Sequence, residues 1–367
     1  MKILILYAGY GDGHVQVSKA LRHCCEASGD NQVLLLDLYA RSHPVINELT
    51  RLVYLFSSKF CPQLYGWSYY LTRDNWTRHA SFKIIDRFGL GALKNVIREE
   101  KPDAVINTFP MSVMPELRRR TDLQIPIYSV LTDFVLHDRW LHPEIDRYYV
   151  ANEELKKAMM AKGIPAQSIK VSGIPIRREF CQPCQKDRLY ARYGLKPASK
   201  TVLIMAGAYG ILPNLDKICQ ALLSLEDIQL LLVCGKNKAA QKTIEARFPR
   251  EANMHIFGFV EKVQELMAIS ACMITKAGGI TLAEALALSL PVIVYRPLPG
   301  QERENALFLE QKGAAMIAGK PEELLAKVKQ ILDEKDSLAR MEQALQELQT
   351  KNASETVVLD VLNQLNQ

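Results

Sequence analysis

Apolar residues in this chain come in short unbroken runs: KILILYA (2–8), QVLLLDL (32–38), DAVINTF (103–109), IPIYSVLT (125–132) and RYYVA (147–151), then TVLIMA (201–206), IQLLLVC (228–234), MHIFGF (254–259), ACMITK (271–276) and PVIVYR (291–296). Such continuity marks strands buried on both faces, as in parallel sheets, and the intervening stretches carry the spacing of amphipathic helices. The pattern predicts an α/β chain. It also restarts, because ILILYAGYG (3–11) and VLIMAGAYG (202–210) both run an apolar strand into a glycine turn. Each reads as the first strand of a Rossmann-like domain. The predicted organisation is a domain over 1–178, a linker over 179–199 with Pro183, Gly194 and Pro197 among many charges, and a second domain over 200–345. A C-terminal helix over 346–367 closes the architecture if it returns to the first domain. Facing domains of this kind bind ligands in the cleft outside the carboxyl ends of their strands.

A length of 367 residues agrees with two domains, and 48% hydrophobic with 23% charged residues is ordinary for a folded protein. Met1 and Lys2 lead straight into a strand, with no h-region or cleavage site, and no apolar run reaches the ~18 residues of a membrane span. The expectation is a cytosolic chain that meets membranes, if at all, on one face. Eight cysteines in that setting are expected to be reduced, and the C-x-x-C at Cys181 and Cys184 lacks a second pair of zinc ligands. The net charge of +6 is mild, and no nucleic-acid-binding signature accompanies it, so no nucleic-acid partner is expected.

The chemistry gathers at the glycine turns. YAGYGDGH (7–14) spaces its glycines G-x-G-x-G and not G-x-G-x-x-G, which argues against a dinucleotide site, although Asp37 at the end of the second strand keeps that reading open. His14 falls near a helix N-terminus, where the partial positive charge disfavours imidazolium and keeps a neutral ring available as a base; a helix-capping role is the structural alternative. In TKAGGITLAEAL (275–286), Gly278 and Gly279 allow close approach of a ligand to a helix N-terminus, and Glu284 follows one turn in, suited to two sugar hydroxyls. Gln301, Glu302 and Asn305 in YRPLPGQERENA (295–306) group amides and a carboxylate after a strand, the chemistry of a hexose site or of a solvated helix start.

Taken together, YGDGHVQV, INTFPM, PELRRRT, LTDF, VSGIPIR, IMAGAYG, VCGKN, TKAGGITLAEA and PGQERENA, in this order, resemble the GT-B glycosyltransferases. The resemblance is to the group holding bacterial processive diacylglycerol β-glucosyltransferases, plant galactolipid synthases and the peptidoglycan GlcNAc transferase. It implies an α/β GT-B fold and an inverting transfer from UDP-glucose to diacylglycerol or glucosyl-diacylglycerol, yielding membrane glucolipids and a lipoteichoic acid anchor. It assigns Val260 to uracil and Glu284 to ribose. Gly278, Gly279 and Thr281, with Gly207 and Ala208 nearby, go to the diphosphate, and Gln301, Glu302 and Asn305 to the sugar. His14 becomes the general base, with Asp133 orienting it, sharing its role, or capping a turn. No Asp-x-Asp pair is present to hold a divalent ion, so no metal and no other cofactor is expected, the UDP-sugar being a substrate.

Residues 49–88 hold ten of the 28 aromatics, including Tyr54, Phe56, Phe60, Trp67, Tyr69, Tyr70 and Trp76, with six Lys or Arg against two Asp. That composition suits the interface of an anionic membrane, on its cytoplasmic face, and equally a domain core. Arg118, Arg119 and Arg120 offer a second basic cluster. The competing readings are a UDP-galactose- or UDP-GlcNAc-using transferase or epimerase of the same fold, a NAD-dependent oxidoreductase, and a lipid-binding protein without catalysis.

Overall fold

A computed structural model describes residues 1–9, 12–42, 48, 62–73, 89–205 and 212–366. It contains two parallel six-stranded sheets. The first is built from β1 (Lys2–Tyr7), β2 (Gln32–Asp37), β3 (Ala104–Asn107), β4 (Ile127–Val130), β5 (Arg147–Val150) and β6 (Ile169–Val171), in the order β2-β1-β3-β4-β5-β6. The second is built from β7 (Lys200–Met205), β8 (Ile228–Val233), β9 (Met254–Phe257), β10 (Cys272–Thr275), β11 (Val292–Tyr295) and β12 (Ala315–Ala318), in the order β12-β11-β10-β7-β8-β9. The unbroken apolar runs explain both. Ile3, Leu4, Ile5 and Leu6 in β1 and every residue of β8 are buried, as strands covered on both faces must be.

The chain divides into two compact units, one of residues 1–178, 298–304 and 350–367, the other of residues 179–297 and 305–349. The helix Ala353–Leu365 packs on the helix Asp12–Ala27 inside the first unit, with Val357, Val358 and Val361 buried. Its Asp360 accepts from the Tyr149 hydroxyl at 2.9 Å and pairs with Lys170 at 2.6 Å and Arg147 at 2.8 Å, all on β5 and β6. The predicted linker differs from expectation. Residues 186–193 form a helix, and Leu189 and Leu195 are buried with the second unit, because those two leucines supply an apolar anchor within an otherwise charged stretch.

Each sheet reverses its strand order beside its first strand, between β1 and β3 in one unit and between β7 and β10 in the other. Loops diverging at that point leave a crevice at the carboxyl edge, which is where a doubly wound sheet holds its ligand. Among the described residues no helix is long and apolar enough to cross a membrane.

Candidate functional site

In the first unit His14 stands in the opening turn of the helix Asp12–Ala27, at the β1 side of the switch point. Its Nδ1 lies 2.7 Å from the Thr108 carbonyl oxygen just past β3, and 3.3 Å from Thr132 Oγ1. A carbonyl only accepts, so Nδ1 carries the proton and Nε2 keeps its lone pair. Phe109 braces the ring edge-on at 4.9 Å. Burial pushes the imidazole below its ordinary value of 6.5, against the raising influence of the Asp133 charge and of the Thr108 carbonyl. The ring is therefore neutral near pH 7, with its acceptor nitrogen defined by a contact 94 residues away.

Asp37 does different work from a ribose-binding acid. Its Oδ2 accepts from the Gly9 amide and its Oδ1 from the Ala40 amide, both at 3.0 Å, so the carboxylate ties the β1 turn to the end of β2. This structural duty removes the observation that had kept the dinucleotide reading open.

The helix Pro62–Arg73 has two unlike faces. Leu64, Trp67 and Leu71 are 64%, 66% and 51% exposed and follow one another at helical spacing. The opposite face grips residues 298–304. A β-carbon on Gly66 would come within 2.4 Å of Pro299 Cβ, so only glycine permits this approach. The Tyr70 hydroxyl donates to Glu304 Oε1 at 2.9 Å, and Arg73 Nη1 reaches Glu304 Oε2 at 2.8 Å. Tyr69 turns inward, edge-on to His137 at 4.7 Å; burial and then the Asp133 charge push its phenol up. Gln301, one turn before Glu304, donates from Nε2 to Asp133 Oδ1 at 2.5 Å. Asp133 thus accepts from Gln301, and its charge is felt by both His14 and Tyr69.

In the second unit the helix Gly279–Ala287 begins directly after β10 with Gly278 as its cap. Gly278 has φ of −66°, which any residue adopts, and a β-carbon there would meet nothing closer than Thr281 Oγ1 at 4.0 Å. Neither strain nor crowding demands a glycine. The bare backbone leaves the helix N-terminus open to an anion. Glu284 is buried one turn further in, and Asn305, 1% exposed, directs Nδ2 at the Ala277 carbonyl at 3.5 Å. Val260 follows β9, three strands from β10 in the sheet order, a span of roughly 14 Å at the usual strand spacing.

Of the three residues grouped for the sugar, Gln301 and Glu302 fall in the first unit and Asn305 in the second; Glu302 Oε2 accepts from the Leu298 amide at 3.2 Å. Gly207, Ala208, Tyr54, Phe56, Phe60 and Trp76 lie outside the described residues. The arginine cluster is corrected: Arg118 pairs with Glu144 and Asp146, and Arg119 and Arg120 with Glu116, so it is no open basic patch. Sequence reasoning missed Thr108, Thr132, His137 and Glu304. The one available signal was the polar pair Asn107-Thr108 closing an otherwise apolar strand.

The family model of monogalactosyldiacylglycerol (MGDG) synthase matches residues 14–176, and that of the glycosyltransferase family 28 C-terminal domain matches residues 201–357. The chain is 42% identical over 365 residues to the processive diacylglycerol beta-glucosyltransferase of Bacillus licheniformis, covering 99% of this chain and 94% of the relative. It is 41% identical over 364 residues to the protein of the same name from Bacillus subtilis, covering 99% and 95%. Among solved structures it is similar to MurG of Acinetobacter baumannii, with a TM-score of 0.64 at 20% identity over 99% of both chains. It is also similar to UDP-GlcNAc 2-epimerase from Neisseria meningitidis bound to UDP-GlcNAc, with a TM-score of 0.63 at 15% identity over 99% and 100%. The fold is GT-B, and the chain belongs to the family of processive diacylglycerol β-glucosyltransferases.

Proposed function

We propose that this protein moves glucose from UDP-glucose to the free hydroxyl of diacylglycerol with inversion at the anomeric carbon, and extends its own glucosyl-diacylglycerol product. The observation that carries the reading is the tautomer of His14. With Nδ1–H committed to the Thr108 carbonyl, Nε2 takes the proton from the acceptor hydroxyl as that oxygen attacks the anomeric carbon and the bond to UDP breaks. Asp133 stabilises the imidazolium formed in that step. The charge developing on the leaving UDP is met by the N-terminus of the helix Gly279–Ala287 through Gly278, Gly279 and Thr281, without a metal. Within the second unit Glu284 holds the ribose, Val260 the uracil and Asn305 the hexose.

The lipid substrate requires work at a bilayer, and the exposed stripe of Leu64, Trp67 and Leu71 supports attachment there. Moving the exposed part of each of these side chains out of water is worth about 1–2 kcal/mol, enough together for reversible binding at the cytoplasmic face. Radiolabelled UDP-glucose and diacylglycerol vesicles, followed by separation of the lipids, test the whole reading. Labelled mono- and diglucosyl lipid is expected; turnover of the nucleotide sugar with no labelled lipid would favour an epimerase and end the transferase reading.

A further inference from the structure

Asn107 closes β3 and is 1% exposed, yet among the described residues neither its Oδ1 nor its Nδ2 has a hydrogen-bond partner. Its neighbour is fully engaged: Thr108 Oγ1 contacts Ser18 Oγ at 2.8 Å and the Leu6 carbonyl at 3.2 Å, on the side of the helix Asp12–Ala27. Side chains alternate along a strand, so Asn107 occupies the other face of the sheet. There it stands in register with Leu6 of β1 and Ser129 of β4. An amide buried with both ends unpaired weakens a fold, and native proteins retain few such groups. A leucine would fill nearly the same volume in this apolar strand without that penalty. The carboxamide sits beside the β1–β3 switch point, one residue before the carbonyl that orients His14. An unmet donor and acceptor at that place mark a ligand that brings the matching groups.

We infer that Asn107 is an acceptor-binding residue, its Nδ2 donating to an acceptor oxygen and its Oδ1 accepting from an acceptor hydroxyl. The inference rests on the glycosyl-transfer reading and gives a role to Asn107, which lies within the motif INTFPM but was assigned none by it. A carboxamide offers both hydrogen-bonding senses and no charge. It therefore suits a neutral headgroup bearing ester and hydroxyl oxygens, as diacylglycerol and its glucosylated product do, and selects against an anionic lipid. Little water competes at a residue so buried, and a site built to pair with a substrate group discriminates most strongly under those conditions.

The test uses the full chain with Asn107→Leu, and with Asn107→Ala, which removes the amide without adding volume. Thermal unfolding is measured beside initial rates in mixed micelles, varying diacylglycerol at saturating UDP-glucose and then the reverse. Expected is a fall in kcat/KM for diacylglycerol on the order of tenfold or more, an unchanged KM for UDP-glucose, and a melting temperature for Asn107→Leu no lower than that of the wild type. A structural role would not split the two substrates in this way. The inference is overturned if a folded variant keeps wild-type acceptor kinetics, or if both variants lose stability and both substrates suffer alike. A wild-type protein that makes no glucolipid under these conditions removes the transfer reading itself and this inference with it.

Discussion

The two units share an architecture and differ in what they place at its switch point. Both are six-stranded parallel sheets whose first strand is apolar and is followed in the sequence by glycines. In the first, the crevice beside β1 receives an imidazole held by a carbonyl, with a carboxylate nearby. In the second, the crevice beside β7 receives a helix N-terminus left bare by Gly278. On the proposed reading, one unit presents the base and the other a field for an anion, which would divide an inverting transfer between proton removal and leaving-group stabilisation. The sheets are interchangeable scaffolds; the chemistry resides in the few residues after each strand.

That division of labour is open to attack at several points. The largest effect is expected from His14→Ala, which should lower kcat by ~10²–10⁴ while calorimetric binding of UDP stays unchanged, since the loss belongs to the first unit alone. Equal loss of UDP binding would show that the units are not separable in this way. Next, replacing Leu64, Trp67 and Leu71 together by serine should weaken sedimentation with anionic vesicles by about a hundredfold, leaving UDP affinity and the fold intact. Gly278→Val is expected to fold normally, because its φ and the open space around it accept a side chain, yet to weaken UDP binding about tenfold by covering the helix N-terminus.

A smaller effect concerns pH. The folded His14 binds its proton less readily than an unfolded histidine of pKa 6.5. The unfolded chain therefore holds more protons in the window between the folded value and 6.5. The contribution of His14 to stability is complete above that window and declines as pH falls through it. The acid limb of kcat/KM should accordingly lie below pH 6.5. Asp133→Asn, by removing a charge that favours imidazolium, should move that limb to still lower pH; a shift to higher pH would remove Asp133 from the electrostatics of the base. The smallest expected effect is none: if the helix N-terminus takes the place of a cation, as proposed, excess EDTA should leave turnover unchanged, and abolished activity would put a metal at the diphosphate.

Much of this was legible in the chain itself. KILILYA and TVLIMA could only be strands buried on both faces, and a glycine turn followed by a helix placed His14 and Gly278 at strand ends. The limits appear at particular residues. Trp67, Tyr69 and Tyr70 are alike in composition, yet one faces solvent, one packs on His137 and one donates to Glu304, because Gly66 lets Pro299 approach one side of their helix. Arg118 to Arg120 look like a basic patch until Glu116, Glu144 and Asp146 arrive beside them. Asp37 looks like a ribose ligand until its oxygens are found on Gly9 and Ala40.

The order of apolar runs and turns determined the two parallel sheets, since burial on both faces and helical crossovers leave few other ways to hide those strands from water. The state of each polar group was decided only by folding. The tautomer of His14 depends on Thr108, the duty of Asp133 on Gln301, and the isolation of Asn107 on the absence of a partner for it among the described residues. Hydrogen bonding and local dielectric act over a few ångströms between residues far apart in the chain, and local sequence carries no record of who those neighbours are.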